Sequence, residues 1–134
     1  MSDTYTLRIE KSIDDLFRHL AQRASADEIK RMRSAYELAA EAHREQKRKS
    51  GEPFIMHPIA VATIVAEELE LDDNPIISAF LHDVVEDTDY TVEDISNLFG
   101  PKIASIVDGL TKISGGVFGD KASLQAENFR KLIL

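Results

Sequence analysis

The chain has 134 residues, 43% of them hydrophobic, and contains no cysteine. This length is typical of one domain with its own core, and disulfides and zinc–thiolate sites are excluded. The net charge of −8 disfavours nonspecific binding to duplex nucleic acid, which requires a basic surface. The first residues lack the pattern of a signal peptide and no apolar run is long enough to span a bilayer. We therefore expect a cytoplasmic protein with neither a nucleic-acid nor a membrane partner.

Two helices are predicted in the first part of the chain from the spacing of its apolar residues. The first lies within residues 1–24, most clearly from 10 to 23, and the second runs from Ser25 to about Gln46. The side chains expected to face the core are Ile13, Leu16, Phe17 and Leu20, followed by Ile29, Met32, Tyr36 and Ala39. Residues 25–28, Ser-Ala-Asp-Glu, have the form of a capping box, and Gly51 and Pro53 follow the second helix as breakers.

The fourth of the predicted helices is the most apolar. A third helix starts near His57, and the fourth follows with Asn74 as its cap and Pro75 in its first turn. The fourth helix is apolar nearly all round, which is typical of a buried, central helix.

The rest of the chain also has a helical pattern. Its predicted elements are a helix capped at residues 91–94 and ended by Gly100-Pro101, a helix over 102–113, a flexible loop over 114–120 and a helix from Lys121 to Leu134. No strand pattern is present, so we expect an all-α helical bundle forming a single domain over residues 1–134. The last helix has no stop signal, which indicates a domain that is incomplete at its C-terminus.

The candidate chemistry lies in FLHDVVEDTD, residues 80–89. His82 and Asp83 interrupt an apolar run, and Glu86 and Asp87 follow one helical turn later. Imidazole and carboxylate together suit divalent ions such as Mn²⁺, Fe²⁺ or Zn²⁺, although a helix end running into solvent would show similar acids. His57 begins another helix on an apolar background; alone it suggests a cap or a core residue, but with His82 and Asp83 it indicates two helices converging on one ion.

Two other features are less specific. His19 and His43 have no metal-ligand spacing, and we expect them to have surface or minor roles. The segment HREQKRK, residues 43–49, has four basic residues against one acidic residue. This basic segment is either a solvated helix end or a site for a small anionic ligand.

Three blocks in order, RKSGEPFIMHP, AFLHDVVEDTD and LFGPKIASIVDGLTKI, closely resemble the hydrolase domain of the RelA/SpoT homologue family. The resemblance covers residues from about 34 to 134. It implies an all-helical HD-type phosphohydrolase that binds one Mn²⁺. Such a domain removes the 3′-pyrophosphate of (p)ppGpp, the alarmone of the stringent response, and yields GDP or GTP and pyrophosphate.

The resemblance also implies roles for individual residues. The implied metal ligands are His57, His82 and Asp83; the acidic pair that positions or activates water is Glu86 and Asp87; the nucleotide contacts are Arg48, Lys49 and Ser50. The family adds a second aspartate in a segment that would lie beyond Leu134, so this chain is expected to bind metal weakly. Synthetase and regulatory domains are expected in the parent chain. Another HD-family nucleotide phosphohydrolase and a non-catalytic regulatory module are the alternatives.

Overall fold

The computed structural model describes residues 2–69, 73–114 and 127. Its helices are α1 (Ser2–Leu20), α2 (Ala26–Ala42), α3 (Met56–Glu67), α4 (Asp73–Asp87), α5 (Val92–Phe99) and α6 (Pro101–Ser114). Within these residues there is no strand, and one isolated bridge joins Lys47 to Pro53. None of the described helices combines the length and apolar character needed to cross a membrane. The prediction of an all-α fold is confirmed.

Local capping sequences determine where two of the helices begin. Ser25 accepts a hydrogen bond from the backbone N–H of Glu28 at 3.1 Å, and the Glu28 carboxylate accepts one from the Ser25 N–H at 2.8 Å. Thr91 and Asp94 make the same reciprocal pair at the start of α5, at 3.1 and 3.0 Å. Both pairs satisfy backbone donors that the first turn of a helix leaves without partners.

The helix boundaries differ from the predicted ones. Helix α1 begins at Ser2, and Tyr5 and Ile9 extend its apolar stripe at four-residue spacing toward the N-terminus. Helix α2 ends at Ala42, and His43 rather than Gln46 follows as its C-cap. Helix α4 includes Asn74, the predicted cap, in its first turn. The predicted loop beyond Ser114 and the last predicted helix lie outside the described residues, apart from residue 127.

Helix α4 is the centre of the bundle and packs against α2, α3 and α6. Ten consecutive residues from Pro75 to Val84 are buried, as its apolar composition predicted. Phe80 is fully buried and meets the ring of Tyr36 edge-on, with the ring centroids 5.7 Å apart. Burying one such side chain contributes about 1.5–3 kcal/mol, so α4 supplies much of the apolar contact of the fold.

An arginine of α2 joins the beginning of α4 to the end of α5. Arg31 Nη1 lies 3.3 Å from Oδ2 of Asp73, and its Nη2 donates to the carbonyl oxygen of Phe99 at 3.1 Å. Gly100 then ends α5 with φ of 102°, which L side chains rarely adopt, and Pro101 begins α6. These contacts hold α4 at its N-terminal end, opposite the end that carries the candidate site.

Candidate functional site

The three predicted metal ligands lie together where α3 begins and α4 ends. Nε2 of His57 is 3.8 Å from Oδ2 of Asp83, and Nε2 of His82 is 3.3 Å from Oδ1 of Asp83. All three side chains are at most 6% exposed. Two imidazoles therefore face the two oxygens of one buried carboxylate, although His57 and Asp83 are on different helices.

The arrangement fits a bound cation. Nδ1 of His82 lies 3.2 Å from the carbonyl oxygen of Ala79, which can only accept, so Nδ1 carries a proton and Nε2 is the ring nitrogen that faces Asp83. Oδ2 of Asp83 is buried and has no hydrogen-bond partner in the described part of the chain. Ligand atoms that bind one ion at ~2.1 Å lie about 3–4 Å from one another. The two distances between the imidazole nitrogens and the Asp83 oxygens fall in this range. The donor set therefore fits a divalent metal.

Glu86 and Asp87 stand at the solvent side of this cluster, in the last turn of α4. Ligand atoms of His82, Asp83 and Glu86 all lie within 4.8 Å of one another, so Glu86 is close enough to bind either the ion or its water. Partial burial raises the pKa of Asp87, the nearby Asp83 carboxylate raises it further, and the imidazoles of His43 and His82 oppose this. A carboxylate with a raised pKa accepts a proton more readily than an ordinary aspartate.

The predicted nucleotide contacts form a tight turn after α2. The N–H of Arg48 donates to the carbonyl of Glu52 at 2.9 Å, and the N–H of Gly51 donates to the carbonyl of Arg48 at 2.8 Å. Gly51 has φ of 94°, which suits a residue without Cβ. Lys49 and Ser50 are exposed at the tip of this turn.

Phe54 places this turn beside the metal cluster. The guanidinium carbon of Arg48 is 6.0 Å from the centroid of the Phe54 ring, at the outer limit of a cation–π contact. The same ring meets His57 edge-on, with centroids 6.1 Å apart. Arg48 and a proposed metal ligand thus both contact one aromatic ring.

The expectation that His43 lies at the surface is wrong. His43 is 2% exposed, its ring centroid is 4.6 Å from that of Phe54, and its Nδ1 is 2.8 Å from Oε1 of Gln46. Gln46 in turn donates from Nε2 to the backbone carbonyl of Asp87 at 2.9 Å. A signal was present, since residue 43 continues the buried stripe one turn beyond Ala39. His19 is half-buried on α1.

Comparisons with known proteins agree with this geometry. The profile of the HD domain matches residues 35–134. The bifunctional (p)ppGpp synthase/hydrolase SpoT of Escherichia coli (strain K12) is 51% identical over 108 residues, which cover 81% of this chain and 15% of that protein. The guanosine-3′,5′-bis(diphosphate) 3′-pyrophosphohydrolase of Aquifex aeolicus (strain VF5) is 48% identical over 134 residues, which cover 100% of this chain and 18% of that protein.

A solved structure shows the same similarity in three dimensions. It is described as a metazoan ortholog of SpoT that hydrolyzes ppGpp and plays a role in starvation responses. It superposes with a TM-score of 0.57 at 37% identity, over 64% of this chain and 48% of that chain. The chain spans less than a fifth of the length of the two curated relatives. On these matches the chain belongs to the HD domain family, and its similarity within that family is to SpoT-type hydrolases.

Proposed function

We propose that this chain is the hydrolase part of a longer protein that removes the 3′-pyrophosphate of (p)ppGpp during the stringent response. The observation that carries the proposal is the buried His57–Asp83–His82 cluster, with the turn of residues 47–53, the basic turn, beside it. Relatives named for this reaction are about half identical to the chain. The products would be pyrophosphate and GDP or GTP, formed in the cytoplasm.

His57, His82 and Asp83 would hold the divalent ion, and Mn²⁺ suits their mixture of imidazole and carboxylate ligands. When bound, the ion would lower the pKa of a coordinated water and offset charge on the phosphoryl oxygens. The support for this assignment is the buried Oδ2 of Asp83 and the proton on Nδ1 of His82. The resemblance adds a second aspartate from a segment beyond Leu134, so metal binding by this chain alone should be weak.

Glu86 and Asp87 would act on the attacking water. Water oxygen bonds to the phosphorus attached to the 3′-oxygen, the bond from that phosphorus to the 3′-oxygen breaks, and the 3′-oxygen ends with a proton. One of the two carboxylates would take the proton released by water, and the raised pKa of Asp87 supports a role in holding it. Glu86 lies closer to the cluster and is suited to orienting the water.

The basic turn would bind the nucleotide. Arg48 offers a planar guanidinium that can stack on the guanine base, whereas Lys49 and Ser50 offer a compact charge and a hydroxyl for phosphate. Synthetase and regulatory domains would accompany the hydrolase in the parent protein. The support is that the curated relatives are more than five times longer than this chain, and that one of them is named as bifunctional.

The test is pyrophosphate release from ppGpp with and without Mn²⁺, measured on this chain and on a form extended beyond Leu134. We expect the extended form to be active only with Mn²⁺, and His82→Ala to abolish its activity. His19→Ala, a matched change on α1, should leave activity unaltered. If the extended form binds ppGpp and never cleaves it, the domain is a regulatory module. If it cleaves only other nucleotides, it is a different HD phosphohydrolase.

A further inference from the structure

The side chains of His43 and Gln46 connect the end of α2 to the end of α4. The backbone carbonyl of Asp87 can only accept, so the amide nitrogen of Gln46 must face it, at 2.9 Å. Oε1 of Gln46 consequently faces His43 at 2.8 Å and must accept from Nδ1–H. Only one arrangement of hydrogens satisfies both contacts, so the two bonds act as one connection.

This connection starts from a fixed position. His43 is the C-cap of α2, its backbone N–H donates to Ala39 at 3.0 Å, and its ring lies against Phe54. Gln46 is held by its backbone as well, donating to the carbonyl of His43 at 2.9 Å and accepting from the N–H of Phe54 at 3.0 Å. The backbone of Gln46 is thus bonded to residues on both sides of the basic turn.

Gln46 is therefore where the basic turn is attached to the acidic end of α4. Arg48 follows Gln46 by two residues, and the side-chain amide of Gln46 donates directly to the backbone carbonyl of Asp87. Because the two segments are 41 residues apart in sequence, this hydrogen bond is a direct tertiary link between the nucleotide contacts and the acidic pair.

We propose that His43 and Gln46 are positioning residues, which set the basic turn against Glu86 and Asp87 so that bound substrate meets the attacking water. This inference rests on the proposed function. A second observation supports it: Nε2 of His43 is buried without a hydrogen-bond partner among the described residues. A buried polar atom of this kind costs stability, and an apolar ring would fill the same space against Phe54 without that cost.

Two substitutions at position 46 test the connection. Gln46→Glu can still accept from His43 but cannot donate to the Asp87 carbonyl, and Gln46→Met has similar length and makes neither bond. In the form extended beyond Leu134, we expect both to lower kcat for ppGpp about 10–100-fold, because small displacements of catalytic groups have effects of this size. The lost hydrogen bonds should lower the melting temperature by a few degrees, well short of unfolding at the assay temperature, and the Mn²⁺ dependence should remain that of the wild type. Gln22→Glu, the same change at an exposed glutamine, should alter none of these properties.

His43→Asn provides the rescue variant, because its amide can donate from about the place of Nδ1. We expect it to retain more activity than His43→Phe, which packs against Phe54 but cannot donate. An unchanged kcat in both Gln46 variants overturns the inference, as does a loss of activity that follows the melting temperature of each variant.

Nitrogen NMR of the histidine rings separates failure of this inference from failure of the proposed function. The connection requires the Nδ1–H form of His43 in the wild type and its loss in Gln46→Met, whatever the activity. An active wild type with His43 in the Nε2–H form overturns the connection alone. A wild type that has the Nδ1–H form and never cleaves ppGpp overturns the proposed function, and with it the positioning role.

Discussion

In the form extended beyond Leu134, replacement of Asp83 by asparagine should stabilise the metal-free protein and abolish its stabilisation by Mn²⁺. Asp83 is 4% exposed, and the imidazole nitrogens nearest its oxygens are 3.3 and 3.8 Å away. These separations are too long to compensate fully for the water that the carboxylate loses on burial. Asparagine keeps the shape of the side chain and removes its charge, so the metal-free fold should tolerate it better.

The magnitude follows from the burial of Oδ2. A buried polar group without a hydrogen bond costs about 1–3 kcal/mol, and a charged one costs more. The asparagine amide is still a buried polar group and retains part of this cost. We therefore expect Asp83→Asn to raise the free energy of unfolding by about 1 kcal/mol, or the melting temperature by about 3–6 °C for a domain of this size. Metal at 100 times its Kd would stabilise the wild type by about 2.7 kcal/mol and the variant hardly at all. The order of the two melting temperatures should therefore reverse when metal is added.

Circular dichroism melts in chelator, and then in Mn²⁺ up to millimolar concentration, measure both effects. Asp89→Asn, at an exposed position two residues beyond the end of α4, is the control and should melt like the wild type in both buffers. The reasoning is refuted if Asp83→Asn melts below the wild type in chelator and shows the same rise with Mn²⁺.

Three further substitutions test the surroundings of the site. Asp87→Asn should raise the melting temperature at neutral pH while lowering hydrolysis. The raised pKa of Asp87 means that its ionised form costs stability above that pKa, so the gain should vanish as the pH falls through it; a gain that persists in acid contradicts this. Phe80→Ala should lower the free energy of unfolding in urea by about 3–5 kcal/mol, through a cavity facing Tyr36, and a loss below about 1 kcal/mol would show that the core closes over it. Gly100→Ala should lower the free energy of unfolding by about 1–3 kcal/mol, as measured in thermal melts. The cause is backbone strain alone, because an added Cβ would meet no atom within 4 Å, and an unchanged melting temperature contradicts this.

The parts of the fold that depend on local sequence could be predicted. The stripe that includes Leu16 and Leu20 is buried, and the capping boxes at Ser25 and Thr91 begin the helices they were expected to begin. Helix ends were less accurate: α1 continues back to Ser2 through Tyr5 and Ile9, and α2 ends at Ala42, before the predicted Gln46. The end of α2 depends on the tertiary contacts of His43, which the local sequence does not show.

In the candidate site, too, some residues could be identified from the local sequence and others could not. His82 and Asp83 were identifiable because polar residues in an apolar helix need a reason to be buried. His43 was judged by its charged neighbours in sequence, whereas its environment is determined by Phe54 and Gln46. The bond from Gln46 to Asp87 joins segments 41 residues apart, and no local rule predicts which backbone carbonyl a loop side chain will reach.

The burial of α4 also limits how the activity of this domain can be controlled. Ten consecutive residues, Pro75 to Val84, have no route to solvent short of unfolding the bundle, so their amides should exchange hydrogen only by global opening. A regulatory signal that loosened His82 and Asp83 would have to disrupt the core of the domain. The turn of residues 47–53 lies at the surface, and a signal there would act through the bond from Gln46 to the Asp87 carbonyl. Under the proposed function, metal binding thus depends on side chains held by the core, whereas nucleotide binding depends on a turn at the surface, which a regulator can reach.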